Sequence, residues 1–237
     1  MKKILITIGI VICLICGGFF VYTSDYYHAS EEAMEVINHV GDIKIEETDD
    51  YIAFIPKQVD NGLIFYPGGL VETESYAPLM KECANKGMLC VLVKMPFHLA
   101  VFNIRGANGI QEKYNIDNWY IGGHSLGGSM AASYVNDHIE EYKGLILLAS
   151  YSTEDLSKSN INVISIYGSE DKVLSLDKYA ENKVNLPVDY KEYIIQGGNH
   201  AYFGSYGEQD GDGKATITHQ QQVQQTVKYI VNSVEIQ

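Results

Sequence analysis

Apolar residues dominate the first two dozen positions of the 237-residue chain, and shorter apolar runs alternate with mixed polar segments along the rest. Residues 4–22 carry no charge and follow Lys2 and Lys3. A helix of this length rises about 28 Å, close to the thickness of the hydrocarbon layer of a membrane. We therefore expect residues 1–23 to be a transmembrane anchor or a cleaved signal peptide, with a buried core helix as a third interpretation.

The charges on either side of this span predict its orientation. Lysines precede it and Asp25 follows it, which places the amino terminus in the cytoplasm and the rest of the chain outside. A helix over 25–38, within a mostly polar stalk or linker over 24–42, is expected to connect the span to one domain over 43–237.

The apolar runs of that domain are the length of buried strands. They predict strands at 43–48, 51–56, 63–66, 89–94, 119–122, 144–149, 163–167 and 190–195. Mixed segments between them predict helices at 75–86, 125–136, 176–184 and 220–233. Such alternation indicates an α/β fold, a mostly parallel twisted sheet flanked by helices, whose functional site lies at the carboxyl edge of the sheet.

The segment Gly123-His124-Ser125-Leu126-Gly127 carries the clearest chemical signal. An apolar strand precedes it and a small-residue, helix-compatible segment follows, which is the context of a nucleophile elbow. The tight turn lifts the Ser125 hydroxyl clear of the sheet and places the first amides of the next helix beside it. The sequence therefore predicts Ser125 as a nucleophile.

A serine nucleophile needs a base, and the base needs an orienting acid. Three histidines follow the serine; His138 and His219 lie among polar residues of predicted helices, whereas His200 follows a strand and two glycines. We therefore predict His200 as the base. Asp171 follows the preceding strand at a Gly-x-x-Asp spacing and is preferred as the acid over its neighbour Glu170.

The loop Pro67-Gly68-Gly69-Leu70-Val71 follows a predicted strand and is suited to an oxyanion hole, because glycine lets a backbone N–H turn toward a reacting carbonyl. The expected donors are the amides of Leu126 and Gly69, with Leu70 as the alternative to Gly69. Four residues are predicted to line the substrate site: Leu70, His124, Phe97 and His98.

These motifs resemble the α/β-hydrolase superfamily, and within it a small bacterial branch without a lid. The resemblance covers about residues 43–235 and rests on four blocks: Tyr66-Pro67-Gly68-Gly69-Leu70-Val71, Lys94-Met95-Pro96, the elbow with its flanking glycines, and Gly197-Gly198-Asn199-His200-Ala201-Tyr202-Phe203-Gly204. It implies a serine hydrolase with Ser125, Asp171 and His200 in the triad positions, and it implies no particular substrate. Pro67 departs from the histidine that many relatives carry there, so another group must hold the loop.

Spacing and composition narrow the function further. Only residues 150–161 separate two predicted strands where larger hydrolases insert a lid, so we expect a shallow, open pocket. A net charge of −13 argues against nucleic-acid partners. No cluster has metal-ligand spacing, and no cofactor is expected. Cys83 and Cys90 are expected in the core, with a disulfide as the alternative.

The sequence thus predicts a serine hydrolase that cleaves carboxylic esters outside the cytoplasm, either tethered to the membrane through its first helix or secreted after signal cleavage. An acyltransferase or deacetylase acting on envelope glycans is an alternative within enzymes. A non-catalytic envelope binding module is the alternative outside them. The oligomeric state stays open.

Overall fold

A computed structural model describes residues 2–38 and 41–234. Residues 39–40 of the predicted stalk, residue 1 of the predicted anchor and the last three residues of the predicted domain lie outside the described ranges. The helices are α1 (Lys2–Ser24), α2 (Glu31–Asn38), α3 (Ala77–Ala84), α4 (Leu126–Asn136), α5 (Leu176–Asn182) and α6 (His219–Val234). The strands are β1 (Lys44–Glu47), β2 (Tyr51–Ile55), β3 (Asn61–Tyr66), β4 (Met88–Val93), β5 (Trp119–His124), β6 (Gly144–Leu148), β7 (Asn162–Gly168) and β8 (Lys191–Ile195).

All eight strands form one sheet in the order β1-β2-β4-β3-β5-β6-β7-β8. The pairs β1–β2 and β2–β4 are antiparallel, and every later pair is parallel. The central strands are apolar on both faces because helices cover both sides of the sheet, and every residue of β4 is buried. The predicted fold class, a mostly parallel sheet flanked by helices, is confirmed.

The register of the parallel strands gathers the site at one edge. Tyr66 at the end of β3 pairs with Gly123 in β5, and His124 pairs with Leu148 at the end of β6. The final residues of β7 and β8 pair with each other in the same way. The loops after β3, β5, β7 and β8 therefore emerge together. The connection from residue 149 to residue 161 contains no helix, so this connection supplies no helical lid.

The segment predicted as a stalk differs from the prediction. Only its second half is helical, as α2, and the residues before α2 pair with the domain. The Tyr27 N–H donates to the Leu70 carbonyl at 2.8 Å, and the Ser30 N–H donates to the Ser205 carbonyl at 2.8 Å. Ala33 in α2 is fully buried. The glutamates of this segment favour the prediction of a solvent-exposed stalk, but the small and apolar residues between them pack on the domain.

The first helix matches the expected apolar span. The stretch Ile4–Ser24 is long and apolar enough to cross a membrane, by length and composition. Cys83 and Cys90 are buried and unbridged, in line with the expectation that they belong to the core.

Candidate active site

Ser125 occupies a sharp turn between β5 and α4. Its backbone has φ 51° and ψ −122°, a left-handed conformation that costs about 1–3 kcal/mol and persists only where the surroundings enforce it. The Ser125 N–H donates to the Leu148 carbonyl at 2.9 Å. Gly127 lies against the carbonyl oxygens of Tyr66 and Pro67, and a Cβ there would overlap both. The glycine thus lets α4 begin directly beneath the loop that follows β3.

His200 and Asp171 form a buried pair at the ends of β8 and β7. The distance from His200 Nδ1 to Asp171 Oδ2 is 2.8 Å, and the two residues are 1% and 3% exposed. The other carboxylate oxygen of Asp171 accepts the N–H groups of Val173 and Leu174 at 2.9 and 2.8 Å. Because these bonds fix the carboxylate, the imidazole is oriented through Nδ1 and keeps Nε2 for proton transfer.

The neighbouring carboxylate, Glu170, does not share this position. It is half-exposed, and its Oε1 accepts the hydroxyl of Ser169 at 3.0 Å. The structure thus brings the predicted base to Asp171 rather than to Glu170.

The base also lies beside the elbow. The ring of His200 is 4.5 Å, centroid to centroid, from the ring of His124, the residue immediately before Ser125. Three predicted residues from three separate loops, Ser125, Asp171 and His200, therefore converge on one corner of the sheet edge.

His124 itself does not line a substrate site, which corrects the prediction. It is 1% exposed, since it is the last residue of β5 and points into the core. Burial, followed by the proximity of His200, lowers the pKa of His124 well below its usual value, so the ring is neutral. Its Nδ1 lies 2.8 Å from the Tyr76 hydroxyl, and that hydroxyl accepts the Gly68 N–H at 3.0 Å.

Tyr76 is therefore the group that holds the loop, where Pro67 offers no side-chain hydrogen bond. It is fully buried, and its hydroxyl connects the loop after β3 to the elbow strand. Sequence analysis did not select Tyr76, because the contact joins positions 48 residues apart, between Tyr76 and His124. The sequence signal that could have indicated this role is a tyrosine at the start of the helix that follows the loop.

The amides of the loop distinguish between the two candidate oxyanion donors. The Leu70 N–H donates to the His98 carbonyl at 2.8 Å and is thus engaged. Within the described residues, no acceptor takes the N–H of Gly69 or of Leu126. A Cβ on Gly69 would lie 2.9 Å from the Leu126 side chain, so the two amides belong to adjoining surfaces. This geometry favours Gly69 over Leu70.

Phe97 and His98 occupy a strained turn beside this loop, with φ 56° and 55°. The Phe97 ring packs on Phe19 of α1, at 5.2 Å between centroids. The His98 ring stacks on Tyr26 at 3.9 Å, and burial lowers the pKa of His98. The structure thus places both side chains against the end of α1 and the residues that follow it.

Asp212 is a second residue that sequence analysis did not select. Its carboxylate accepts the Ala201 N–H at 2.9 Å and the Lys172 N–H at 3.2 Å. Each of these amides adjoins one partner of the buried acid–base pair. The loop 210–213, expected to be a glycine-rich surface loop, therefore ties the acid loop to the base loop.

No group of three metal-ligating side chains occurs in the part of the chain that the structure describes.

Comparisons with known proteins agree with this architecture. Residues 62–224 match the model of the alpha/beta hydrolase family. The fold is similar to that of the Francisella virulence factor BioJ, with a TM-score of 0.64 and 14% identity over 87% of this chain and 90% of that one. It is similar to Est1E from Butyrivibrio proteoclasticus, with a TM-score of 0.59 and 12% identity over 82% and 100% of the two chains. Dienelactone hydrolase from Anabaena variabilis gives a TM-score of 0.60 at 10% identity, over 81% and 99%. No curated protein matches the sequence.

Proposed function

The chain belongs to the alpha/beta hydrolase family, and we propose that it is a serine hydrolase that cleaves carboxylic esters through an acyl-enzyme intermediate. The observation that carries the proposal is the 2.8 Å pair of His200 and Asp171 beside the Ser125 turn. Dienelactone hydrolase, one of the similar structures, is named for a cyclic ester, which supports ester hydrolysis as the reaction class.

In the proposed first step, the Ser125 hydroxyl attacks the ester carbonyl and its proton passes to His200 Nε2. Asp171 holds the imidazole in the required tautomer and stabilises the imidazolium. The amides of Leu126 and Gly69 stabilise the oxyanion of the tetrahedral intermediate, where loss of one donor typically costs about 3–4 kcal/mol.

The intermediate then collapses. The carbon–oxygen bond to the alcohol breaks, and the alkoxide leaves with the proton from His200. Water attacks the acyl-enzyme with His200 as base, and release of the carboxylic acid regenerates the Ser125 hydroxyl. The net reaction consumes one ester and one water molecule, and it yields one acid and one alcohol.

Hydrolysis of p-nitrophenyl esters tests this proposal. Ser125→Ala should abolish turnover of the acetate. Ser129→Ala is the matched control, because Ser129 lies one turn further along α4 and its hydroxyl donates to the Tyr151 carbonyl at 2.8 Å. The control should keep turnover within a few fold of wild type. Equal turnover in Ser125→Ala and wild type would exclude Ser125 as the nucleophile.

We further propose that α1 anchors the protein in the membrane with the catalytic domain outside the cytoplasm. The support is its uncharged span, the lysines before it and the acidic residue after it. The native protein should sediment with membranes and resist carbonate extraction. Recovery of the protein from the medium, beginning near residue 19, would instead indicate cleavage of a signal peptide.

A further inference from the structure

The last turns of α1 dock on the domain through one face. Among the side chains of residues 4–24, only Phe19 and Thr23 are not exposed, and they lie one helical turn apart. The Phe19 ring contacts Phe97 at 5.2 Å and Phe102 at 5.6 Å between centroids, and the latter two rings contact each other at 5.7 Å. The helix thus meets the domain at an aromatic cluster.

This cluster lies at the level of the apolar span. Phe19 precedes the end of α1 at Ser24 by five residues, which is about 7.5 Å of helix. Tyr22 and Tyr26 flank that end, as aromatic residues do at membrane–water boundaries. A helix that spans the bilayer would therefore hold Phe97 and Phe102 at or below the boundary rather than in water.

The outer side of the aromatic cluster is apolar and exposed. Phe97 and Phe102 are each 52% exposed, and Val101, next to Phe102 in sequence, is 43% exposed. We call these three residues the apolar rim. The rim is continuous with the exposed apolar side chains of α1 through Phe19, and a continuous apolar surface of this kind marks an interaction site. Its continuity with the span indicates lipid as the occupant.

The turn that carries Phe97 of the apolar rim is also bonded to the oxyanion loop, through the adjacent residue His98. The His98 carbonyl accepts the Leu70 N–H at 2.8 Å, immediately after Gly69. From the other side, Tyr27 donates to the Leu70 carbonyl and accepts the Glu72 N–H at 2.9 Å. Tyr27 follows the end of α1 by three residues, which span at most about 10 Å. Tyr27, which pairs with the oxyanion loop, is therefore within about 10 Å of the helix end.

Charge at this end of the site restricts the ligand. Asp25 follows the helix directly, and the carboxylates of Glu72 and Glu74 lie close enough to His98 to act on its pKa. These carboxylates disfavour a substrate with an anionic head. The described connection over 149–161, where larger hydrolases insert a lid, contains no helix, so it offers no cover for a long acyl chain. With α1 across the bilayer, the acyl chain of a substrate can remain in the lipid while only its ester group reaches Ser125.

We infer that the apolar rim rests in the outer leaflet and that the substrate is an uncharged amphiphilic acyl ester taken from the bilayer. This inference rests on the proposed ester hydrolysis and names the substrate class for the same site. An open cleft without a lid would by itself predict short esters in free solution as substrates. The substrate inferred here differs, because the docking of α1 places the site at the membrane, where lipid rather than protein surrounds the acyl chain.

Tryptophan fluorescence of the full-length protein in phosphatidylcholine vesicles tests the position of the rim without reference to activity. Trp119 is the single native tryptophan and is 2% exposed, so it should not respond to lipids brominated along their acyl chains. Phe102→Trp should lose at least half of its added fluorescence in brominated vesicles. Val188→Trp is the control, since Val188 is fully exposed and lies near the start of β8, away from the carboxyl edge of the sheet that carries the site. Equal, weak quenching in both variants would overturn the inference.

Activity supplies the second test, as the ratio of two rates in the same vesicles. One substrate is a long-chain monoacylglycerol dispersed in the bilayer, and the other is water-soluble p-nitrophenyl acetate. The double variant Val101→Asp with Phe102→Asp should lower the ratio of bilayer to soluble hydrolysis at least tenfold, and Val188→Asp should leave the ratio unchanged. An unchanged ratio in the double variant would overturn the membrane inference and leave ester hydrolysis standing. Failure of the wild type on both substrates would instead refute the proposed function, and the inference with it.

Discussion

Replacement of Asp171 by asparagine tests the acid by exchanging one carboxylate oxygen for an NH₂ group, with little change of shape. Asp171 Oδ1 accepts two backbone N–H groups, from Val173 and Leu174, at 2.9 and 2.8 Å. In Asp171→Asn, the amide oxygen must take that place, because the reverse orientation would oppose NH₂ to both donors at about 1–3 kcal/mol for each unsatisfied group. The NH₂ group therefore faces His200 Nδ1.

This orientation selects the wrong tautomer of the base. His200 Nδ1 must accept the asparagine N–H, so the proton moves to Nε2, and Nε2 can no longer accept the proton of Ser125. A triad perturbed in this way loses about 10⁴ in kcat, or about 5 kcal/mol of transition-state stabilisation. Steady-state hydrolysis of p-nitrophenyl acetate measures the loss, with circular dichroism to verify the fold.

Glu170→Gln is the matched control for this experiment. It removes a carboxylate one position away that is half-exposed and bonded to Ser169 instead of His200. Its kcat should stay within about threefold of wild type. A loss below tenfold in Asp171→Asn, or an equal loss in Glu170→Gln, would refute the assignment of the acid.

Three further predictions concern the groups around the triad. Tyr76→Phe leaves the buried Gly68 N–H without its acceptor, so kcat on p-nitrophenyl acetate should fall about tenfold at nearly constant KM. Tyr134→Phe is the control, because it removes a hydroxyl bonded to another part of the chain, and it should not lower kcat. Asp212→Ala releases the loops of the acid and the base, so kcat should again fall at least tenfold; an unchanged kcat would show that the loops need no such tie. Because burial lowers the pKa of His124, the unfolded chain binds the extra proton, and the free energy of unfolding should decrease as pH falls below about 6.5, by up to about 1.4 kcal/mol per pH unit. Thermal melts should show a smaller decrease for His124→Asn, and identical pH profiles would contradict the neutral, buried state of this ring.

Local pattern predicted the elements whose determinants are local. The buried strands are continuous apolar runs, and the elbow is specified by closely spaced glycines. Both could therefore be predicted from residues that are close together in the sequence. Asp171 was preferred over Glu170 from its spacing after Gly168, and the structure places it against His200 as that preference requires. The fold class was predicted in the same way, and the family was inferred from the resemblance that the motifs carry.

Contacts between distant segments were not predictable from such patterns. The helix expected over 25–38 is interrupted because Tyr27 pairs with Leu70, and the glutamates that favoured a free stalk say nothing about that pairing. His124 was predicted to line the substrate site, but it is the last residue of a strand that is buried at every position. The hydroxyl of Tyr76 and the carboxylate of Asp212 act on backbone amides far along the chain, which no single motif encodes.

The most direct test of the central proposal is to identify the residue that a fluorophosphonate modifies. The reagent reacts with an activated serine, and peptide mass spectrometry then locates the adduct in the full-length protein. We predict a single adduct on Ser125, at a rate reduced strongly in His200→Ala, and no adduct in Ser125→Ala. Modification of another serine, or equal labelling of wild type and Ser125→Ala, would contradict a serine hydrolase built on this elbow.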